Sequence, residues 1–221
     1  GERVAIGAED TTAVREADVP DHLELSKGGA DVWSPSITPP IGVDLTDEQK
    51  LACAFRILCR EGFSENIAGH ITWTDRDDGS MLVNPWGLWW DEVSASDVCR
   101  VDAEGRVLEG RWDVTPAVRI HTELHRARPD ARVVVHNHPY HVVALAAMGL
   151  LPEFLHQQSS MYDGDLVFVS EYSGEIDTAE LGADLADRVG DASIVLLANH
   201  GAIVTGPTIE EATYRAATLD R

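Results

Sequence analysis

Residues 133–141 read Val-Val-Val-His-Asn-His-Pro-Tyr-His, and this stretch constrains the chain more than any other. Three consecutive β-branched residues predict a buried strand. Alternate side chains of a strand share a face, so His136 and His138 point the same way where it ends. Pro139 breaks the ladder, and its fixed φ suits the start of a helix over 138–148. Two imidazoles converging at a strand mouth make half of a transition-metal site, because neutral imidazole binds Zn, Fe, Ni and Cu. The competing assignment is a pair of loop histidines bonded to backbone carbonyls; a third ligand elsewhere decides between them.

His200 is the candidate third ligand. It sits in Ala198-Asn-His-Gly201 between Ile194–Leu197 and Ala202–Thr205, two apolar runs read as strands. Gly201 is expected to supply a positive φ in the turn. Three histidines on strand ends hold a divalent ion and leave positions open for water or substrate. An ordinary turn histidine is the alternative at position 200.

The rest of the chain alternates strands and helices. Residues 1–40 are acidic and without periodicity and read as an irregular tail, with a domain over 41–221. Thr46-Asp-Glu-Gln49 is a capping box opening a helix to about Glu61, with Leu51, Phe55 and Leu58 on its apolar face. Hairpins are predicted from 68–75 with 81–85, and from 98–102 with 106–109. Helices follow over 116–126, 177–189 and from the Thr208–Glu211 box to Arg221, with a strand at 166–169. Mixed strands and helices give an α/β layered domain around one sheet.

Charge narrows the partners. With 38 acidic against 17 basic residues the net charge is −21, which repels nucleic-acid phosphates and anionic membrane surfaces. No apolar run approaches the ~18 residues of a membrane span. Cys53, Cys59 and Cys99 are odd in number and lack CxxC spacing, as expected for buried reduced thiols of a cytoplasmic protein.

Four segments in order resemble the class II aldolase/adducin family: Ala68-Gly-His-Ile-Thr72, Leu82-Val-Asn-Pro-Trp-Gly87, His125-Arg-Ala-Arg-Pro-Asp130 leading into Val134-Val-His-Asn-His138, and Leu196-Leu-Ala-Asn-His-Gly201. The resemblance covers about residues 45–221. It implies a three-layer α/β/α sandwich around a central, mainly antiparallel sheet, often assembled as a homotetramer with sites at subunit borders. It also implies one divalent ion on His136, His138 and His200, zinc first, with Mn, Fe, Co or Ni also compatible.

The departures from the family's sugar-phosphate aldolases carry functional information. Those enzymes have a Ser-Ser-Glu stretch whose glutamate binds metal and moves the proton; the matching positions here are Thr115, Pro116 and Ala117. Alanine cannot shuttle a proton. In the phosphate cradle Gly69 and Gly87 remain, but an asparagine becomes His70 and a threonine becomes Trp86. An indole narrows the pocket and offers only a donor, where a phosphate dianion needs small donors around it. Trp89 and Trp90 are assigned to the core.

His121 lies one helical turn after Ala117 and is placed to approach the metal or its water; His70 faces a substrate carboxylate or phenol. Both are the candidate catalytic residues. Arg119 is a candidate partner for a substrate carboxylate. Glu123 falls on another side of that helix, His125 and His141 are assigned to packing or surface, and His156 stays open. The expected function is a metal-dependent carbon–carbon lyase, aldolase or decarboxylase, acting on a small, non-phosphorylated aromatic or hydroxy-/keto-carboxylate. The alternatives are a non-haem iron oxygenase on the same fold, or an adducin-like interaction module with no metal.

Overall fold

The computed structural model describes residues 43–64, 66–74, 78–153, 156–171 and 174–221. The predicted acidic tail over 1–40 lies outside these residues. Leu45–Arg221 forms one compact unit.

Thr46 opens the first helix, α1 (Asp47–Arg60), through the predicted box: its Oγ1 accepts from the Gln49 N–H at 3.3 Å, and Gln49 Oε1 accepts from the Thr46 N–H at 2.9 Å. The two hairpins form as β1 (His70–Trp73) with β2 (Met81–Val83), and β3 (Cys99–Val101) with β4 (Val107–Glu109). Pro116 starts a 3-10 turn that runs into α2 (Arg119–Ala127). After it come β5 (Val133–Asn137), α3 (Tyr140–Met148), β6 (Leu166–Val169), α4 (Ala179–Val189), β7 (Ile194–Leu197), β8 (Ala202–Gly206) and α5 (Ile209–Leu219).

The eight strands form one sheet in the order β4-β3-β2-β1-β5-β8-β7-β6, antiparallel throughout except between β6 and β7. Period-2 alternation divides its side chains between two apolar layers. Val133, Val135, Ile71, Leu196 and Val204 pack with α1 and α5. Val134, Val195, Leu197 and Ile203 pack with Ile120 and Leu124 of α2 and Leu185 and Val189 of α4. Each fully buried side chain of this size contributes about 1.5–3 kcal/mol relative to exposure, so both helical layers are held by the sheet between them.

Several local expectations are corrected. The last helix closes at Leu219 instead of reaching Arg221. Asp220, just beyond it, turns its carboxylate to the start of α3, where Oδ1 accepts from the N–H groups of His141 and Val142 at 3.0 and 3.3 Å. That covers α3 amides which its N-cap residue, Pro139, has no side chain to satisfy. Trp90 is buried against Phe55, but Trp89 is exposed: its N–H ties to the Glu92 carboxylate in a surface turn. Of the three free cysteines Cys99 is buried, whereas Cys53 on the outer side of α1 is exposed.

Candidate metal centre

His136 is the penultimate residue of β5 and His138 lies just past its end, so strand alternation sends both to the α2 face of the sheet. His200 reaches them from the turn between β7 and β8. The ligand nitrogens of the three imidazoles all lie within 4.8 Å of one another. His136 Nδ1–H donates to the Ala202 carbonyl at 2.9 Å across the β5–β8 pair. This leaves Nε2 of His136 as the nitrogen that could bind an ion, with the ring oriented by a backbone carbonyl as metal-binding histidines commonly are. Burial holds His136 well below the usual imidazole range. Burial, then repulsion from His138, brings His200 down to about 4. Three imidazole nitrogens grouped this closely are a donor set that suits a divalent cation such as Zn, and the residues fit the ion.

Glycine at 201 serves a different purpose from the one expected. The left-handed residue of this turn is Asn199, at φ 54°. A Cβ on Gly201 would lie 2.4 Å from the Asn137 carbonyl oxygen and 2.6 Å from Cδ2 of His138. The position is therefore bare so that β8 can approach the end of β5 and the His138 ring.

His70 stands directly across from His136 in the β1–β5 register, ring centroids 5.0 Å apart. Burial, then the charges of His138 and His200, lower it to about 3. Its Nδ1 is 2.6 Å from Nε2 of His121, which is fully buried on α2. His121 does not reach toward the three-histidine cluster as expected. Its second nitrogen, Nδ1, bonds Thr72 Oγ1 at 2.7 Å, so both ring nitrogens are engaged behind His70. Thr72 Oγ1 also lies 2.7 Å from His125 Nε2, and His125 Nδ1 donates to the Ala131 carbonyl at 2.7 Å. The sequence reading missed Thr72 and assigned His125 to packing. A signal exists in retrospect: residues 70 and 72 share one strand face, and residues 121 and 125 share one helix face.

A cavity of about 400 Å³ opens over the cluster, lined by His70, the three candidate ligands, Trp86, Ala117, Ile120 and Ile176 among others. Trp86 is 62% exposed and forms a wall, not core. Glu175, which the sequence reading did not single out, also lines it. Gly69, expected in the substrate cradle, is not a lining residue: a Cβ there would lie 2.5 Å from Trp90 Cζ2, and its carbonyl accepts from Trp90 Nε1 and Asn84 Nδ2 at 3.0 and 3.2 Å. Gly87 takes φ +93° in the turn after Trp86 and is not a lining residue. Arg119 is not one either. It opens α2, where its carbonyl faces Gly182 of α4. Glu123 packs against the same glycine and pairs with Arg126. His141 is held by Asp220, and His156 is in the exposed loop before Ser159.

Residues 49–221 match the family described as Class II Aldolase and Adducin N-terminal domain. Adducin-related protein 1 of Caenorhabditis elegans is 32% identical over 76% of this chain and 23% of its own. A 4-hydroxy-3-prenylphenylpyruvate oxygenase/4-hydroxy-3-prenylbenzoate synthase of Streptomyces roseochromogenus is 30% identical over 76% of this chain and 62% of its own. The chain thus spans less than two thirds of either relative. Among solved structures, an L-fuculose 1-phosphate aldolase from Glaciozyma antarctica superposes with a TM-score of 0.70 at 27% identity, over 78% of this chain and 68% of that one.

Proposed function

The chain belongs to the class II aldolase/adducin family, and from that premise we propose that it is a divalent-metal-dependent carbon–carbon lyase for a small, non-phosphorylated aromatic or hydroxy-/keto-carboxylate. The observation that carries the reading is the convergence of His136, His138 and His200 beneath a cavity whose walls are Trp86, Ile120 and Ile176. An ion on these imidazoles would act as a Lewis acid toward a carbonyl or enolate oxygen. The remaining chemistry falls to the chain. Ala117 contributes no acid at the cavity wall, so proton transfer is left to His70, held neutral by burial, with Glu175 as the carboxylate on the same wall. The indole and isoleucine walls exclude water from one side and suit a flat aromatic or short aliphatic body.

The test is elemental analysis of protein prepared without chelator, followed by paired assays. Near-stoichiometric Zn, Mn, Fe, Co or Ni is expected, as is carbon dioxide or aldehyde release from aromatic and hydroxy-carboxylates. Fuculose and rhamnulose phosphates should turn over at least ~10²-fold more slowly, the usual cost of lacking a placed proton-transfer group. Robust cleavage of a sugar phosphate would overturn the substrate assignment.

A second reading, an iron oxygenase, is favoured by the Streptomyces relative, whose name specifies an aromatic keto acid; iron together with oxygen uptake would establish it. An adducin-like scaffold has no need of three converging imidazoles, which argues against a purely structural role.

We also place the protein in the cytoplasm as a homotetramer. Helix α3 is apolar on nearly every side, yet Tyr140 and Met148 are exposed, as are Leu150 and Leu151 after it. Such a helix is normally covered. Sedimentation at micromolar concentration is expected to show the tetramer, and a monomer alone would count against it. No helix among the described residues is long and apolar enough to cross a membrane.

A further inference from the structure

The hydrogen-bond chain behind the cavity has a direction, and its far end sets it. Ala131 offers a carbonyl, which only accepts, so His125 must carry its proton on Nδ1. A neutral His125 then presents a lone pair at Nε2, and the Thr72 hydroxyl donates its single proton there. With that proton committed, Thr72 Oγ1 can only accept from His121, whose proton is thereby placed on Nδ1. His121 Nε2 is left as an acceptor for the proton of His70 Nδ1. This proton order holds while the rings are uncharged. Burial lowers His125 to about 4 and holds His121 well below the usual imidazole range.

The geometry points to Thr72, His121 and His125 as positioning residues that fix His70 in the Nδ1–H tautomer, with its Nε2 lone pair left for the cavity. His70 is thus a hydrogen-bond acceptor toward ligand. Resting on the lyase reading, this narrows the substrate: the group that meets His70 brings a donor, such as the hydroxyl of a hydroxy acid or phenol. A carboxylate or phosphate oxygen, which only accepts, finds no donor at this nitrogen.

The test is ¹⁵N NMR of the histidine rings in the full chain at neutral pH, which distinguishes protonated from bare ring nitrogens without reference to activity. Nδ1–H is the less common tautomer of a neutral histidine in water, so three such residues together are not expected by default. Wild type is expected to show a protonated Nδ1 and a bare Nε2 at His70, His121 and His125. Thr72→Val, of similar shape without the hydroxyl, should lose the single tautomer at His121 and His70, and Thr72→Ser should restore it. His125→Phe cuts the chain at its end and serves if Thr72→Val does not fold.

A protonated Nε2 on wild-type His70 overturns the proposal, as does a tautomer unmoved in the folded Thr72→Val or His125→Phe protein. An inactive protein with Nδ1–H at His70 would leave this inference standing and remove the lyase reading. An active protein with Nε2–H would do the reverse.

Discussion

Gly201→Ala is expected to cost both stability and metal affinity. The new methyl carbon would stand 2.4 Å from a backbone oxygen of Asn137, which cannot rotate away as a flexible side chain would. Relief requires the start of β8 to move off the end of β5, at the Asn137–Ala202 pair of the register. Crowding of this kind costs about 1–3 kcal/mol. The same movement displaces the His138 ring, 2.6 Å from the added atom, and strains the neighbouring His136–Ala202 bond that orients a second ligand. Loss of one orienting contact already lowers metal affinity by roughly 10–100-fold, and at least that is expected here. Urea unfolding with and without zinc, together with a competitive metal titration, measures the two effects. Gly149→Ala is the control: it forces a side chain onto φ +68° at the end of α3, with no atom within 4 Å of the added carbon and no link to the ligands. It should lose stability and keep affinity. Wild-type zinc affinity in Gly201→Ala would show that the close approach does not hold the site together.

Acidification is expected to unfold the metal-free protein over an unusually steep interval. Burial is the largest cause of the lowered pKa at His70, His121, His125, His136 and His200. Each folded value lies below the unfolded one, so as the pH falls the unfolded chain takes up protons first. The stability these residues contribute is complete above about 6.5 and is lost as the pH drops toward 4 for His125 and His200, and toward 3 for His70. Each histidine adds about 1.4 kcal/mol per pH unit to the slope. Through His125 alone the loss is on the order of 3 kcal/mol, a large fraction of what a domain of this size possesses. Asp97, whose carboxyl is held near 2 chiefly by the Ser94 hydroxyl, loses its own contribution only below its ordinary value of 3.8, under the part of the interval that His125 and His200 govern. Urea midpoints in chelator from pH 7.5 to 4.5 measure the slope. His125→Gln should flatten it by about one proton, and a wild-type profile flat over this range would mean that the rings are charged when folded.

The elements were legible because their periods differ cleanly. The capping box at Thr46, the β-branched run at Val133 and the apolar runs on either side of Asn199-His200 each impose one local conformation, and tertiary packing had no reason to oppose it. The three-histidine cluster was visible for the same reason, since two of its members come from one strand end and the third from a tight turn. Thr72 and His125 were not visible. Their hydrogen bonds span 49 and 53 positions, and nothing in the local pattern announces which helix face will meet which strand face. Gly201 was singled out for the wrong reason, because a glycine needed for close approach looks the same in sequence as one needed for a left-handed turn. Trp89 and Trp90 share a composition and differ only in the direction the chain takes after Trp86.

The division of β1 and β5 into a dry face and a histidine-bearing face also bears on how the chain finds its register during folding. In a sheet with two greasy faces, a slip by one residue exchanges one valine for another and costs little. Here a slip of β5 would carry His136 toward Phe55 and Leu58 and turn Val135 toward His70 and Thr72. An imidazole would lose its carbonyl partner in an apolar layer, and the hydroxyl opposite would face a methyl group. A slipped pairing is thus less stable than the native one, so the polar strip specifies the register of the central strands before any ligand is bound.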